Sequence, residues 1–242
     1  MEYEDERVNY QSYWGINMYD IVYFVKDTKE NEELRYSLRS LKNFPHRKVW
    51  FYGGCPEGLK PDHHVFISQD QPTKWLNINK SIREAVKNPD ITDDFWLFND
   101  DFFIMKPVKK ACNYYDGDLY KRIVTLEDKF GRFTKYSLQL RKICDDLISM
   151  GCDVRNFCIH VPMLVNKEKA IELFNIEDAH MFRSLYGNYH NIEAKQLSDY
   201  KISNPTLHWK DSIYLSTTEN SFAGEVGKQI REYFPDKCKY EA

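Results

Sequence analysis

The ten residues Phe95-Trp96-Leu97-Phe98-Asn99-Asp100-Asp101-Phe102-Phe103-Ile104 constrain this chain more than any other stretch. Four hydrophobes precede an amide and two adjacent carboxylates, and three more follow. The pattern predicts two buried strands joined by an acidic turn. Unpaired charges between such strands would cost roughly several kcal/mol each. A cation has to meet them, and a divalent metal carrying a diphosphate fits that need. An Asn-Asp turn that satisfies its own backbone is the plainer alternative.

The residues before this turn alternate between strand and helix patterns. Asp20 to Val25 is a nearly continuous apolar run, as in a central strand covered on both faces. Asn31 can cap a helix through Leu41, with Leu34, Leu38 and Leu41 at helical spacing. Val49 to Tyr52, closed by Gly53-Gly54, predicts a second strand, and Val65 to Ile67 a third. Lys74 to Val86 reads as a helix ending before Asn88-Pro89. This alternation predicts an α/β fold with a mainly parallel, twisted sheet flanked by helices. In such sheets ligands collect at the carboxyl ends of strands. Asp27 and the Asp100-Asp101 pair would share that edge.

The second half is less regular. Ser137 to Met150 predicts a helix closed by Gly151, Asn166 can cap another through Phe174, and Glu225 to Phe234 forms a last amphipathic helix. Between them lie polar segments carrying His160, His180, Arg183, His190 and His208. No repeat or Pro/Gly/Ser linker divides the 242 residues, so one continuous fold is expected.

Composition narrows the function classes. With 34 basic and 37 acidic residues the formal charge is −3, which argues against a dedicated nucleic-acid binder. No apolar run approaches the ~20 residues needed to span a bilayer. Met1 to Arg7 is acidic and polar, unlike a secretory signal. Six cysteines lie scattered without a CxxC pair, as free thiols in a reducing cytosol would. P-loop, Gly-x-Gly-x-x-Gly, nucleophile-elbow and zinc-finger spacings are missing from the sequence.

Two blocks carry a family resemblance. Asn31-Glu32-Glu33-Leu34-Arg35-Tyr36-Ser37-Leu38-Arg39-Ser40-Leu41 and Phe95 to Pro107 resemble, in order and spacing, segments of Stealth-type sugar-phosphate transferases. His160-Val161-Pro162 and His180-Met181-Phe182-Arg183-Ser184 are similar to that family's later histidine blocks. The likeness covers roughly residues 20 to 190. More broadly, the first half resembles glycosyltransferases of the GT-A type. The chain departs from the Stealth pattern at Tyr23-Phe24-Val25-Lys26-Asp27, where those proteins have a Thr-Trp-Val-Asp-Gly-type strand end.

The resemblance implies a donor half at 18–108, which binds a nucleoside diphosphate sugar (a UDP-sugar foremost) with Mn²⁺ or Mg²⁺, and an acceptor half at 109–242. Asp101 is the expected metal ligand, and Asp100 would hold ribose or a metal-bound water. His208 would be a late metal ligand and Lys210 a phosphate neutraliser, by analogy with GT-A enzymes. Asp27, Asn79 and Arg83 would touch the nucleotide or sugar, and Arg35 a phosphate. His160 is the candidate general base on an acceptor hydroxyl. Arg183 would grip a departing or transferred phosphate by two prongs. The acceptor could be a glycan, a wall polymer or a modified base in phage DNA. Three other readings stay open. One is a Stealth-like hexose-1-phosphate transferase of capsule synthesis. The second is a non-catalytic nucleotide- or carbohydrate-binding module. The third is a metal-dependent nuclease or phosphatase.

Overall fold

In the computed structural model, residues 18–176 and 181–242 are described. Met1 to Arg7, read above for a secretory signal, and His180 lie outside the described residues.

Five strands form the central sheet in the order β3-β2-β1-β4-β7, namely β3 (His63–Val65), β2 (Val49–Gly53), β1 (Asp20–Val25), β4 (Asp94–Asn99) and β7 (Met163–Asn166). The first four run parallel and β7 is antiparallel to β4. The mainly parallel α/β fold read from the sequence is the fold observed.

Both faces are covered, which is why β1 and β2 read as unbroken apolar runs. Ile21, Tyr23 and Val25 point to one side, where α1 (Glu32–Ser40) lays down Leu34 and Leu38. Val22, Trp50 and Tyr52 point to the other. They meet α2 (Lys74–Lys87), α3 (Leu119–Phe130), α4 (Lys135–Ser149), α5 (Lys167–Ile176) and α6 (Phe182–Tyr189). The caps follow from sequence. Asn31 Oδ1 accepts from Leu34 N at 2.9 Å, and Asn166 Oδ1 from Lys169 N at 3.1 Å. A Thr134/Ser137 capping box starts α4 two residues before the expected Ser137.

The amino end of β1 is anchored by charge. Asp20 is fully buried, and Arg47 donates to its two oxygens at 2.7 Å each, while Trp50 Nε1 adds a third bond at 3.1 Å. Burial alone would push this carboxyl up; the Arg47 guanidinium more than offsets it and holds it below the usual carboxylate range.

A smaller three-stranded sheet, β5 (Phe102–Ile104), β10 (Tyr214–Thr217) and β9 (Lys201–Ile202), sits beside the first. Its Phe103, Leu215 and Ile202 pack on α7 (Glu219–Phe222) and α8 (Glu225–Tyr233). A third pair joins β6 (Asn113–Tyr115) to β8 (Ala194–Gln196). All six cysteines are free. No helix among the described residues is long and apolar enough to cross a membrane.

Candidate active site

Strand order locates the crevice. The chain runs outward from β1 to β2 and β3, then returns to the other side of β1 as β4. The connections leave in opposite directions at the carboxyl ends of β1 and β4, the switch point at which open α/β sheets bind ligands. Phe24 pairs with Asn99 there, so Asp27 and the Asp100-Asp101 turn share one edge. The glycines at this edge are forced. Gly53 has φ +119°, and a Cβ on it would stand 2.1 Å from Val25 O.

The acidic turn is also where the chain changes sheets. β4 belongs to the central sheet and β5 to the smaller one, so Asp100 and Asp101 lie at their junction. Phe102 pairs with Ser216 and Ser216 with Lys201. That register delivers the partners of Asp101, whose Oδ2 accepts from Lys201 Nζ at 2.8 Å and Ser216 Oγ at 2.9 Å. Its Oδ1 is enclosed and has no hydrogen-bond partner among the described residues. Asp100 Oδ2 accepts from Asn31 Nδ2 at 2.8 Å, so one asparagine both caps α1 and steadies the acidic turn.

A third carboxyl joins them. Glu33, in the first turn of α1, takes a short hydrogen bond from Thr217 Oγ1. Burial pushes it up to about 7, against relief from the Thr217 hydrogen bond and with the charges of Asp101 and then Asp100 adding to the rise. Burial, followed by the Asp101 charge, pushes Asp100 up to about 6. Three carboxyls and one ammonium therefore share the pocket, which is short of positive charge.

Beyond Phe102 lies a second polar group. Asp199 accepts from His160 twice, Oδ2 from Nδ1 at 2.8 Å and Oδ1 from the backbone N–H at 3.0 Å. Burial would push Asp199 up, but the His160 hydrogen bonds hold it below the usual range. The imidazole meets the Phe102 ring edge-on at 6.4 Å, and the Arg183 guanidinium sits 5.3 Å from the same ring. The aromatic residue after Asp101 thus separates the acidic turn from the His160–Asp199 pair.

Several expected site residues are committed elsewhere. Arg183 donates Nη1 to Val161 O at 2.7 Å and Nη2 to Leu97 O at 3.3 Å. Its two prongs hold backbone rather than standing ready for a phosphate, and burial pushes its pKa down to about 10. Arg35 binds Glu241 Oε2 at 3.2 Å, beside the two-pronged Arg39–Glu241 pair, and so ties α1 to the C-terminal segment. Arg83 lies over the Phe174 ring at 4.2 Å, between α2 and α5. Asn79 is buried in α2. His208 and Lys210 are exposed on the segment between β9 and β10. Among the described residues no group of three or more His, Cys, Asp or Glu side chains could hold a metal ion. Asp27 stands exposed at the crevice edge, its backbone N–H donating to Gln69 Oε1 at 3.3 Å.

Glu33, Asp199, Lys201, Ser216 and Thr217 were missed by sequence reasoning. Glu33 carried the best signal, being two residues past a capping Asn in a quoted motif. Lys201 carried none, since only sheet pairing brings it to Asp101.

This arrangement is a GT-A-like fold, an α/β sheet whose acidic turn stands at the switch point. No family model and no curated protein matches the chain by sequence. Among solved structures it is similar to galactosyltransferase LgtC in complex with donor and acceptor sugar analogues, at 11% identity and a TM-score of 0.50, covering 91% of this chain and 96% of that one. An active-site mutant of LgtC aligns at 11% identity and a TM-score of 0.48, covering 88% and 94%. At 11% identity the first of these likenesses shows the fold alone.

Proposed function

We propose that this protein is a glycosyltransferase that moves a sugar from a nucleoside diphosphate donor, a UDP-sugar foremost, to an acceptor hydroxyl. The observation that carries the reading is the acidic turn at the switch point of a GT-A-like sheet, with one enclosed carboxylate oxygen left unpartnered. Residues 18–108 supply most of the donor side and 109–242 the acceptor side, with Lys201 and Ser216 crossing back to the acidic turn. Free thiols agree with a reducing, cytosolic setting.

The residues fit a dication that arrives with its diphosphate rather than one held in advance. Asp101 Oδ1 offers a hard oxygen and Asp100 stands beside it, which leaves the phosphates to complete the shell. Such an ion, Mn²⁺ or Mg²⁺, would neutralise the charge that grows on the leaving diphosphate. Lys201, already on Asp101, is the protein's own cation for the same charge. Ser216 and Asn31 hold the two carboxylates in place, and Asp27 can reach base or ribose at the crevice edge.

On the acceptor side His160 is the proposed base. Its Nδ1 donates to Asp199, which leaves Nε2 as the lone-pair nitrogen that takes a hydroxyl proton. Sugar transfer is preferred over sugar-phosphate transfer because the Arg183 prongs are engaged on carbonyls. Metal-dependent turnover of a panel of nucleotide sugars tests the proposal. Release of a nucleoside diphosphate supports it, and release of a nucleoside monophosphate transfers the case to the Stealth-like reading. A complete lack of nucleotide binding, seen as no melting shift with Mn²⁺ and UDP, removes it.

A further inference from the structure

Six of the twelve exposed large hydrophobic side chains among the described residues lie between Tyr120 and Ile148, on α3, α4 and the turn joining them. The helices do not need them for folding, because Leu119, Ile123, Leu140, Ile143 and Leu147 already bury the inner faces completely. At the turn, Lys129-Phe130-Gly131-Arg132-Phe133-Thr134-Lys135 alternates cations with rings. Phe130 is 52% and Phe133 64% exposed. Gly131 ends α3 at φ +59°, and a Cβ added there would meet nothing within 4 Å, so the turn projects into open space.

Charge follows the same pattern. Between Leu119 and Lys142 there are seven Lys and Arg against Glu127 and Asp128, in a chain whose formal charge is −3. Arg141 pairs with Glu127 and stands 5.4 Å from the Phe133 ring and 6.0 Å from that of Tyr120, which fixes these rings on one flank. Arg132 and Lys135 make no ion pair among the described residues.

We infer that the tip of the α3–α4 hairpin docks onto an anionic lipid surface. Phe130, Phe133 and Leu138 enter the headgroup–acyl boundary, while Lys129, Arg132 and Lys135 meet lipid phosphates. Basic and aromatic residues together also suit single-stranded nucleic acid. Val124 and Leu138 favour lipid, since aliphatic side chains offer a base nothing to stack on, and a projecting turn provides no groove for a strand to follow. The hairpin is rooted on the acceptor side, where Asp116, two residues before the α3 cap Asp118, accepts from Asp199 N–H at 3.3 Å. If the proposed reading of the site holds, docking presents His160 to acceptors held at a membrane; docking itself does not depend on that reading.

Co-sedimentation of the full chain with vesicles tests this, using phosphatidylcholine alone against phosphatidylcholine mixed with phosphatidylglycerol. The wild type should sediment with the anionic vesicles only, and high salt should release it. Phe130→Ser with Phe133→Ser should abolish sedimentation at an unchanged melting temperature. Arg132→Gln and Lys135→Gln should each lower vesicle affinity by about fivefold. Each variant should keep the wild-type melting shift with Mn²⁺ and UDP, which separates this test from that of the donor site. The inference is overturned if the wild type ignores anionic vesicles, if the variants bind them as the wild type does, or if these side chains bind a single-stranded oligonucleotide and no vesicle.

Discussion

The ammonium of Lys201 lies 2.8 Å from Asp101 Oδ2, although 100 residues separate the two in the chain. It occupies one oxygen of Asp101 and leaves the other enclosed, with no hydrogen-bond partner among the described residues. The cation demanded by two adjacent aspartates is thus supplied in part by the protein. The remaining deficit is shared among Asp100, Asp101 and Glu33, and the proposed function follows from it.

Asp101→Asn should lower sugar transfer by about 10²- to 10³-fold, the scale seen when a preorganised electrostatic contact is removed. The hydrogen bond from Ser216 can survive the change, so the fold should persist. Steady-state turnover and circular dichroism on the same preparation check both parts. Undiminished turnover would take Asp101 out of the donor site.

The acidic pocket predicts a sign for the pH dependence of stability. Glu33 is raised from 4.5 to about 7 and Asp100 from 3.8 to about 6. Between those values the folded chain binds more protons than the unfolded one, so this contribution is full below about pH 4, falls as pH climbs from there, and is lost by about pH 7. Glu33→Gln should flatten the upper part of that slope. Melting temperatures from pH 5 to 8 report it, and identical slopes for both proteins would refute it.

His160→Ala should reduce transfer by about 10²- to 10⁴-fold while donor binding is kept, because a general base acts on the acceptor. Asp199→Asn should lower kcat while donor binding is kept, because an amide at Nδ1 no longer fixes the tautomer that leaves Nε2 to take the hydroxyl proton. An unchanged kcat would reduce Asp199 to a structural role.

At the opposite end of β1, Arg47→Met should cost about 3 kcal/mol, since it strands the fully buried Asp20 carboxylate. The double variant Asp20→Asn/Arg47→Met should recover part of this loss. Chemical denaturation of both separates burial of an unpaired charge from simple lost contact.

Much of the scaffold was legible along the chain. Unbroken apolar runs announced β1, β2 and β4, since strands covered on both faces leave no polar side to show. Asn31 announced the start of α1, because an N-cap needs only its own side chain and the N–H three residues on. The third strand was displaced, forming at His63–Val65 with Phe66 61% exposed, since an edge strand is fixed by its one neighbour more than by its own hydrophobicity. The short strands β6 to β10 and the helices α3, α6 and α7 were not read at all.

The site divides in the same way. Asp100-Asp101 stood out because carboxylates between buried strands demand a partner, a requirement any fold of this chain must meet. Which partner meets them is a long-range matter. Lys201, Ser216 and Thr217 arrive through pairing of β5, β10 and β9, and Asp199 through a loop that closes on His160. Arg35, Arg83 and Arg183 looked available in sequence, yet Glu241, Phe174 and two backbone carbonyls claim them. Local periodicity is a property of neighbouring residues and survives in one dimension. Charge pairing depends on distances set only when the sheets assemble, so the sequence determined the strands and their acidic junction, and the tertiary structure decided which cations and hydroxyls serve it.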